Sequence, residues 1–174
     1  MSEPVRALVV HASRYGSTAE IAEAVGAALR DLGIAADVVP AAEVAEVEPY
    51  DIVVIGSAVY LGRWRPDARR FISRFEAALA ERSVWLFSSG PLDRSRDGED
   101  RDAPRDVAAL ADRIGAREHE WFGGLLSPEA DGVLEWLIIR TGRAGDFRDF
   151  ARIRSWAARI AGSRAEAGEP IAAR

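Results

Sequence analysis

Val5-Arg6-Ala7-Leu8-Val9-Val10-His11-Ala12-Ser13-Arg14-Tyr15-Gly16-Ser17-Thr18 is the stretch that decides the fold. Val5 to Val10 is a run of β-formers, and a helical pattern begins at once after the turn that follows it. In that turn Ser13, Ser17 and Thr18 offer hydroxyl donors, while Gly16 permits close backbone approach or a positive φ. The first N–H groups of the next helix open into the same hollow, so the turn suits an anion held mainly by uncharged donors. It is not a Walker A loop, because no Gly-Lys-Ser/Thr is present, and the glycine triplet of the dinucleotide fingerprint is missing. Ser, Gly and Thr also build ordinary strand-to-helix turns, so both readings stand on this stretch alone.

Outward from the turn, Ile21, Ala24, Val25, Ala28, Leu29 and Leu32 recur at helical spacing before Gly33, which predicts a helix over 17–32. Ala35 to Pro40 reads as an edge strand, and 41–49 as a polar connector with room for one helical turn. Asp51 to Gly56 is a short apolar run of the kind found in parallel strands covered on both faces. A loop over 57–65 follows it, and Pro66 opens a helix carrying Phe71, Ile72, Phe75, Ala78 and Leu79. Val84 to Ser88 is a further buried strand that ends in the loop Ser88 to Asp93, and 94–102 is a charged, solvated stretch. Pro104 opens a helix that Gly115 stops, 117–122 is the fifth strand, and a last helix begins near Asp146 or Phe147 and frays after Gly162.

Strands alternating with helices predict an α/β doubly wound sheet of five parallel strands in the order 2-1-3-4-5. In such sheets a ligand lies beyond the C-terminal ends of the strands where strand order reverses, here between strands one and three. Three loops meet there: 13–18, 57–65 and 88–93. The second presents Tyr60 and Trp64 on either side of Gly62, where a planar ligand can stack, or where both aromatics merely cover the end of the sheet.

Composition bounds what such a site can do. The chain has 174 residues, of which 48% are hydrophobic, enough for one domain over 1–163 with a loosely held tail over 164–174. A net charge of −5 gives no basic excess for nucleic acid. Without a single cysteine, disulfides, cysteine-ligated zinc, iron–sulfur clusters and thiol catalysis are all excluded. All 23 basic residues are arginine, which a coding bias explains better than selection at 23 separate places. No basic-then-apolar leader follows Met1, and no apolar run reaches the ~18 residues of a membrane span, so a cytoplasmic location is expected.

The order Ser13-x-x-Gly16-x-Thr18-x-x-x-Ala22-x-x-Val25 after an apolar strand resembles the flavodoxin signature, whose loop wraps the terminal phosphate of FMN. His11 departs from it, since an aromatic residue is common there. Ile55-Gly56-Ser57-Ala58-Val59-Tyr60-Leu61-Gly62, Phe87-Ser88-Ser89-Gly90-Pro91, Phe122-Gly123-Gly124-Leu125 and Gly145-Asp146-Phe147-Arg148-Asp149-Phe150 extend the likeness. Together they resemble the flavodoxin-like group that includes the menaquinone-dependent protoporphyrinogen IX dehydrogenases. The resemblance implies noncovalent FMN with its phosphate at Ser13, Arg14, Tyr15, Gly16, Ser17 and Thr18. Its ring would lie between Ala58, Val59, Tyr60, Leu61 and Gly62 on one side and Ser88, Ser89, Gly90, Pro91 and Leu92 on the other. The flavin carries the chemistry, and no catalytic side chain is assigned.

An insertion over about 125–143, predicted helical, holds Val133-Leu134-Glu135-Trp136-Leu137-Ile138-Ile139 followed by Arg140 and Arg143. Its apolar residues spread too far around a helix axis for one packing face. A second subunit, an apolar quinone or porphyrinogen substrate, or a membrane surface would each cover the remainder, as would the chain's own sheet. Two functions therefore stay open: an FMN enzyme acting on such a substrate, or an electron shuttle docking with redox proteins through an acidic rim. His11 and His119 have no carboxylate spacing for a metal, Asp146 and Asp149 suit capping of the last helix, and no nucleophile elbow surrounds Ser13 or Ser17.

Overall fold

The computed structural model describes residues 4–13, 16–90, 103–123, 125–126, 145–146 and 149–167. β1 (Arg6–Ala12) is buried along nearly its whole length, and α1 (Ser17–Asp31) lays Ile21, Ala22, Val25 and Leu29 back against the sheet. β2 (Ala35–Pro40) pairs in parallel on the outer side of β1, from Arg6 opposite Ala35 to His11 opposite Pro40. Pro40 brings no N–H, so the edge ladder ends there, and one 3₁₀ turn follows at Ala41–Glu43.

β3 (Ile52–Tyr60) takes the inner side of β1, and β4 (Arg63–Trp64) folds back antiparallel on its end. α2 (Pro66–Arg74), α3 (Glu76–Ala80), β5 (Ser83–Gly90), α4 (Arg105–Ile114) and β6 (His119–Gly123) complete the alternation. The five parallel strands lie in the order β2-β1-β3-β5-β6, which is the expected 2-1-3-4-5 arrangement.

Successive side chains of a strand leave on opposite faces, so the sheet builds two cores. Ala7, Val9, Ile52, Val54, Trp85 and Phe87 pack with α1 and with α5 (Phe150–Ala167). Leu8, Val10, Val53, Ile55, Val84 and Leu86 pack instead with Phe71 and Ile72 of α2, Leu79 of α3, and Val107 and Ile114 of α4. In the first core Phe87 lies on Gly56, its partner across the β3–β5 ladder. The same ring meets Phe122 and Trp156 edge-on, with centroids 5.8 and 6.0 Å away. Aromatic pairs at this spacing add roughly 0.5–1.5 kcal/mol beyond the area they bury.

Three local features differ from the sequence expectation. The single helix expected after Pro66 is interrupted at Phe75, whose φ of −109° and ψ of 18° separate α2 from α3. Leu79 N–H bonds the Phe75 carbonyl at 2.8 Å, so the second helix restarts at once. The last helix begins at Phe150 rather than near Asp146, because β8 (Gly145–Asp146) is held in an antiparallel ladder with β7 (Leu125–Leu126). Asp149 then caps α5, its carboxylate accepting the Arg152 N–H at 3.0 Å. Beyond Gly162 the helix continues to Ala167, carried by the buried Ile153, Trp156 and Ile160. The charged stretch 94–102, the apolar run within 127–144 and the last seven positions lie outside the described residues.

Arg82 ties the second layer together. Its guanidinium donates to the carbonyls of Val47 and Tyr50, both at 3.1 Å, to that of Glu48 at 3.2 Å, and to that of Ala78 in the last turn of α3. The connection entering β3 is thereby fastened to a helix end whose carbonyls lack intrahelical partners.

A methyl at position 56 would lie 1.9 Å from the Phe87 ring, whereas one at Gly162 would meet nothing within 4 Å. Gly56→Ala is expected to lower the unfolding free energy by about 3 kcal/mol. Gly162→Ala, inside α5, is expected to raise it by about 0.5–1 kcal/mol. Urea denaturation of the two variants beside the wild-type chain checks both signs.

Candidate functional site

The turn after β1 enters α1 through Gly16, whose φ is 88°. Among the described residues no side chain caps this 15-residue helix. Gly16 N–H donates to Ser13 Oγ at 2.9 Å, which leaves the Ser13 hydroxyl proton free to donate. The first intrahelical bond is Glu20 N–H to the Gly16 carbonyl at 2.9 Å, so the N–H groups of Thr18 and Ala19 have no partner within the helix. A Cβ at Gly16 would meet nothing within 4 Å, so the backbone is open to a ligand. Uncapped N–H groups, hydroxyls and an open glycine fit a phosphate monoester. Arg14 and Tyr15 lie outside the described residues.

The second expected loop is a hairpin. β3 runs on through Ala58 and Val59 to Tyr60, with Val59 opposite Trp64 and Tyr60 opposite Arg63. Leu61 and Gly62 form the two-residue turn, with φ values of 50° and 72°. Two positive φ values in succession are the pattern of a type I′ turn, whose twist matches that of the flanking strands. Ser57 closes the base of the hairpin by accepting the Arg65 N–H at 3.0 Å and donating to the Ala58 carbonyl at 2.9 Å. Among the described residues Leu61 alone combines a side chain with a positive φ, and that side chain is 83% exposed.

Pairing in this hairpin turns Trp64 inward, which corrects its expected place beside a planar ligand. The residue is 1% exposed in the second core, and its indole N–H donates to Ser88 Oγ at 2.7 Å. Tyr60 is half-buried at the last position of β3 and is left as the aromatic of this hairpin on the site's rim.

The third expected loop begins three residues late, because β5 runs on through the buried Ser88 and Ser89 to Gly90. Adjacent on β5, they leave on opposite faces. Ser88 accepts from Trp64 and lies 2.8 Å from His119 Nε2. Ser89 turns the other way, its Oγ 2.6 Å from Oγ1 of the buried Thr18. Both hydroxyls are bonded inside the protein. Gly90, opposite Gly123 on β6, has open space where a side chain would be, while Pro91 and Leu92 lie outside the described residues.

His119, weighed in the sequence only as a metal ligand, takes part instead through its bond to Ser88. Burial pushes its imidazole down to about 4, so at neutral pH the ring is uncharged and can accept the Ser88 proton at Nε2. The signal available was the Ser88-Ser89 pair itself: one of two adjacent strand serines had to enter the layer where β6 presents His119. His11, at the end of β1, is also held below its ordinary value by burial, against the opposing pull of Glu23 and Glu43. Among the described residues no three metal-ligating side chains come together, and no helix is long and apolar enough to cross a membrane.

Comparison with known proteins agrees with this fold. A family model described as a flavodoxin domain matches residues 8–141. A flavodoxin from the domain Archaea superposes with a TM-score of 0.61 at 16% identity, over 91% of this chain and 98% of its own. The flavodoxin of Streptococcus pneumonia TIGR4 gives 0.58 at 21% identity, over 91% and 99%. Rubredoxin oxygen:oxidoreductase from Desulfovibrio gigas gives 0.65 at 12% identity, over 96% of this chain and 38% of that one. No curated protein sequence matches the chain.

Two outcomes follow from the buried histidine and the strained turn. His119 takes up a proton less readily in the folded chain than in the unfolded one, so its stabilising share is whole above pH 6.5 and is lost as pH falls toward about 4. That loss is up to about 3 kcal/mol, and His119→Gln should flatten the fall, as read by urea denaturation between pH 7 and pH 4.5. Leu61→Asn places Asn-Gly in the type I′ turn and is expected to raise stability by roughly 1 kcal/mol in the same measurement.

Proposed function

Because the chain belongs to the flavodoxin domain family, we propose that it holds FMN at the C-terminal rim of β1, β3 and β5 and passes electrons between redox proteins. One observation carries the proposal: the uncapped N-terminus of α1, entered through Gly16, opens at the strand-order reversal between β1 and β3.

Bound FMN would supply the redox chemistry. Ser13, Gly16, Ser17 and Thr18, with Arg14 and Tyr15 between them in sequence, would hold its phosphate. Ala58 to Gly62 would flank the ring on one side, and Gly90 with Pro91 and Leu92 on the other. With Trp64 drawn into the core, aromatic stacking from the hairpin falls to Tyr60. Apart from Arg14 the donors around the phosphate are neutral, and the charge they leave uncompensated disfavours adding further negative charge to the ring. The chain's net charge of −5 suits docking against basic faces of partner proteins. A cytoplasmic site of action belongs to the same proposal.

A second reading rests on β7 and β8. Their ladder sets off residues 127–144 between β6 and α5, and the sequence there is the apolar run from Val133 to Ile139 followed by Arg140 and Arg143. An apolar quinone or porphyrinogen substrate would make the protein an FMN-dependent oxidoreductase resembling the protoporphyrinogen IX dehydrogenases. Covered by a membrane surface or by a second subunit instead, the same run would act as an anchor or an interface.

Purified protein is expected to be yellow and to release FMN on denaturation. The shuttle reading predicts rapid reduction by a ferredoxin-type reductase and no turnover of protoporphyrinogen IX with a menaquinone analogue. Turnover of that pair at rates above free FMN would replace it with the enzyme reading, and colourless protein that retains no added FMN would defeat both.

A further inference from the structure

We propose that Ser89 is a positioning residue of the anion turn, acting on a bound phosphate through Thr18 and not by touching the flavin ring. The inference rests on the FMN-binding reading above. Thr18 Oγ1 and Ser89 Oγ are 2.6 Å apart, a link between residues separated by 71 positions in sequence. Both residues are almost wholly buried, at 1% and 3% exposure. Thr18 is the second residue of α1, in the turn whose N–H groups would meet the anion, and Ser89 is the second-last residue of β5.

Each hydroxyl carries one proton, and the bond between them uses one of the two. An anion at the helix N-terminus fixes which. Thr18 has to donate outward to the anion, so Ser89 has to donate to Thr18 Oγ1. The Ser89 proton then orients the Thr18 hydroxyl and, by polarising it, strengthens its bond to the phosphate. Ser89 is well placed to hold that orientation, because its backbone is paired on both sides, opposite Ala58 of β3 and Phe122 of β6. Ser88 cannot stand in for it, since it faces the other layer and is engaged with Trp64 and His119.

Titration of FMN and of riboflavin, followed by quenching of flavin fluorescence, separates this role from a ring contact, because riboflavin has the same ring and no phosphate. Ser89→Ala is expected to weaken FMN about tenfold and to leave riboflavin unchanged. Ser89→Thr, which keeps the hydroxyl, should restore FMN affinity. In a Thr18→Val background Ser89→Ala should have no further effect on FMN. Unchanged FMN affinity in Ser89→Ala, or equal weakening of FMN and riboflavin, would overturn the role of Ser89 while the flavin reading stood. A wild-type chain that binds neither flavin would instead overturn the flavin reading itself.

Discussion

A central strand buried on both faces must send consecutive side chains into different layers, and β5 shows what that constraint does to a polar sequence. Phe87 and Ser89 enter the layer of α1 and α5, while Leu86 and Ser88 enter the layer of α2 to α4. The strand has no neutral option at its polar end: each serine enters a core where an unbonded hydroxyl costs about 1–3 kcal/mol. Each is therefore met by a partner from a different element, Thr18 on one face and the Trp64–His119 pair on the other. The rim of the site is thus supported from beneath by two short polar chains, one in each layer.

These chains link parts of the molecule that are distant in sequence. Trp64 belongs to the hairpin that follows β3, and its bond to Ser88 holds that hairpin against β5. Ser57 secures the same hairpin from its base, so the exposed Leu61-Gly62 turn stands on a fixed stem. The strain of a leucine on left-handed backbone is kept at the tip, which is where positions near ligands commonly store it.

Much of this was legible in the sequence, and what was not has identifiable causes. Apolar runs at Val5–Val10 and Ile52–Ile55 and the helical spacing after Thr18 reported strands, helices and their order, because burial on two faces or along one stripe leaves a periodic trace. The turn after β1 was legible because the residues that shape it are local, Gly16 N–H donating to Ser13 Oγ three positions earlier. Trp64 was misplaced since a loop and a hairpin of nine residues have the same composition, and only the pairing of Val59 with Trp64 reveals which way the indole turns. The start of α5 was misplaced for a similar reason. Asp146 has the chemistry of a cap, but the partner that keeps it extended is Leu125, 21 residues upstream.

That small ladder has a wider meaning for how the chain is assembled. Leu126 stands opposite Gly145, so everything between them departs from and returns to a single point on the scaffold. Ends clasped in one ladder fix where the chain must return, so a change of length between them costs little in closure and leaves the entry to α5 in place.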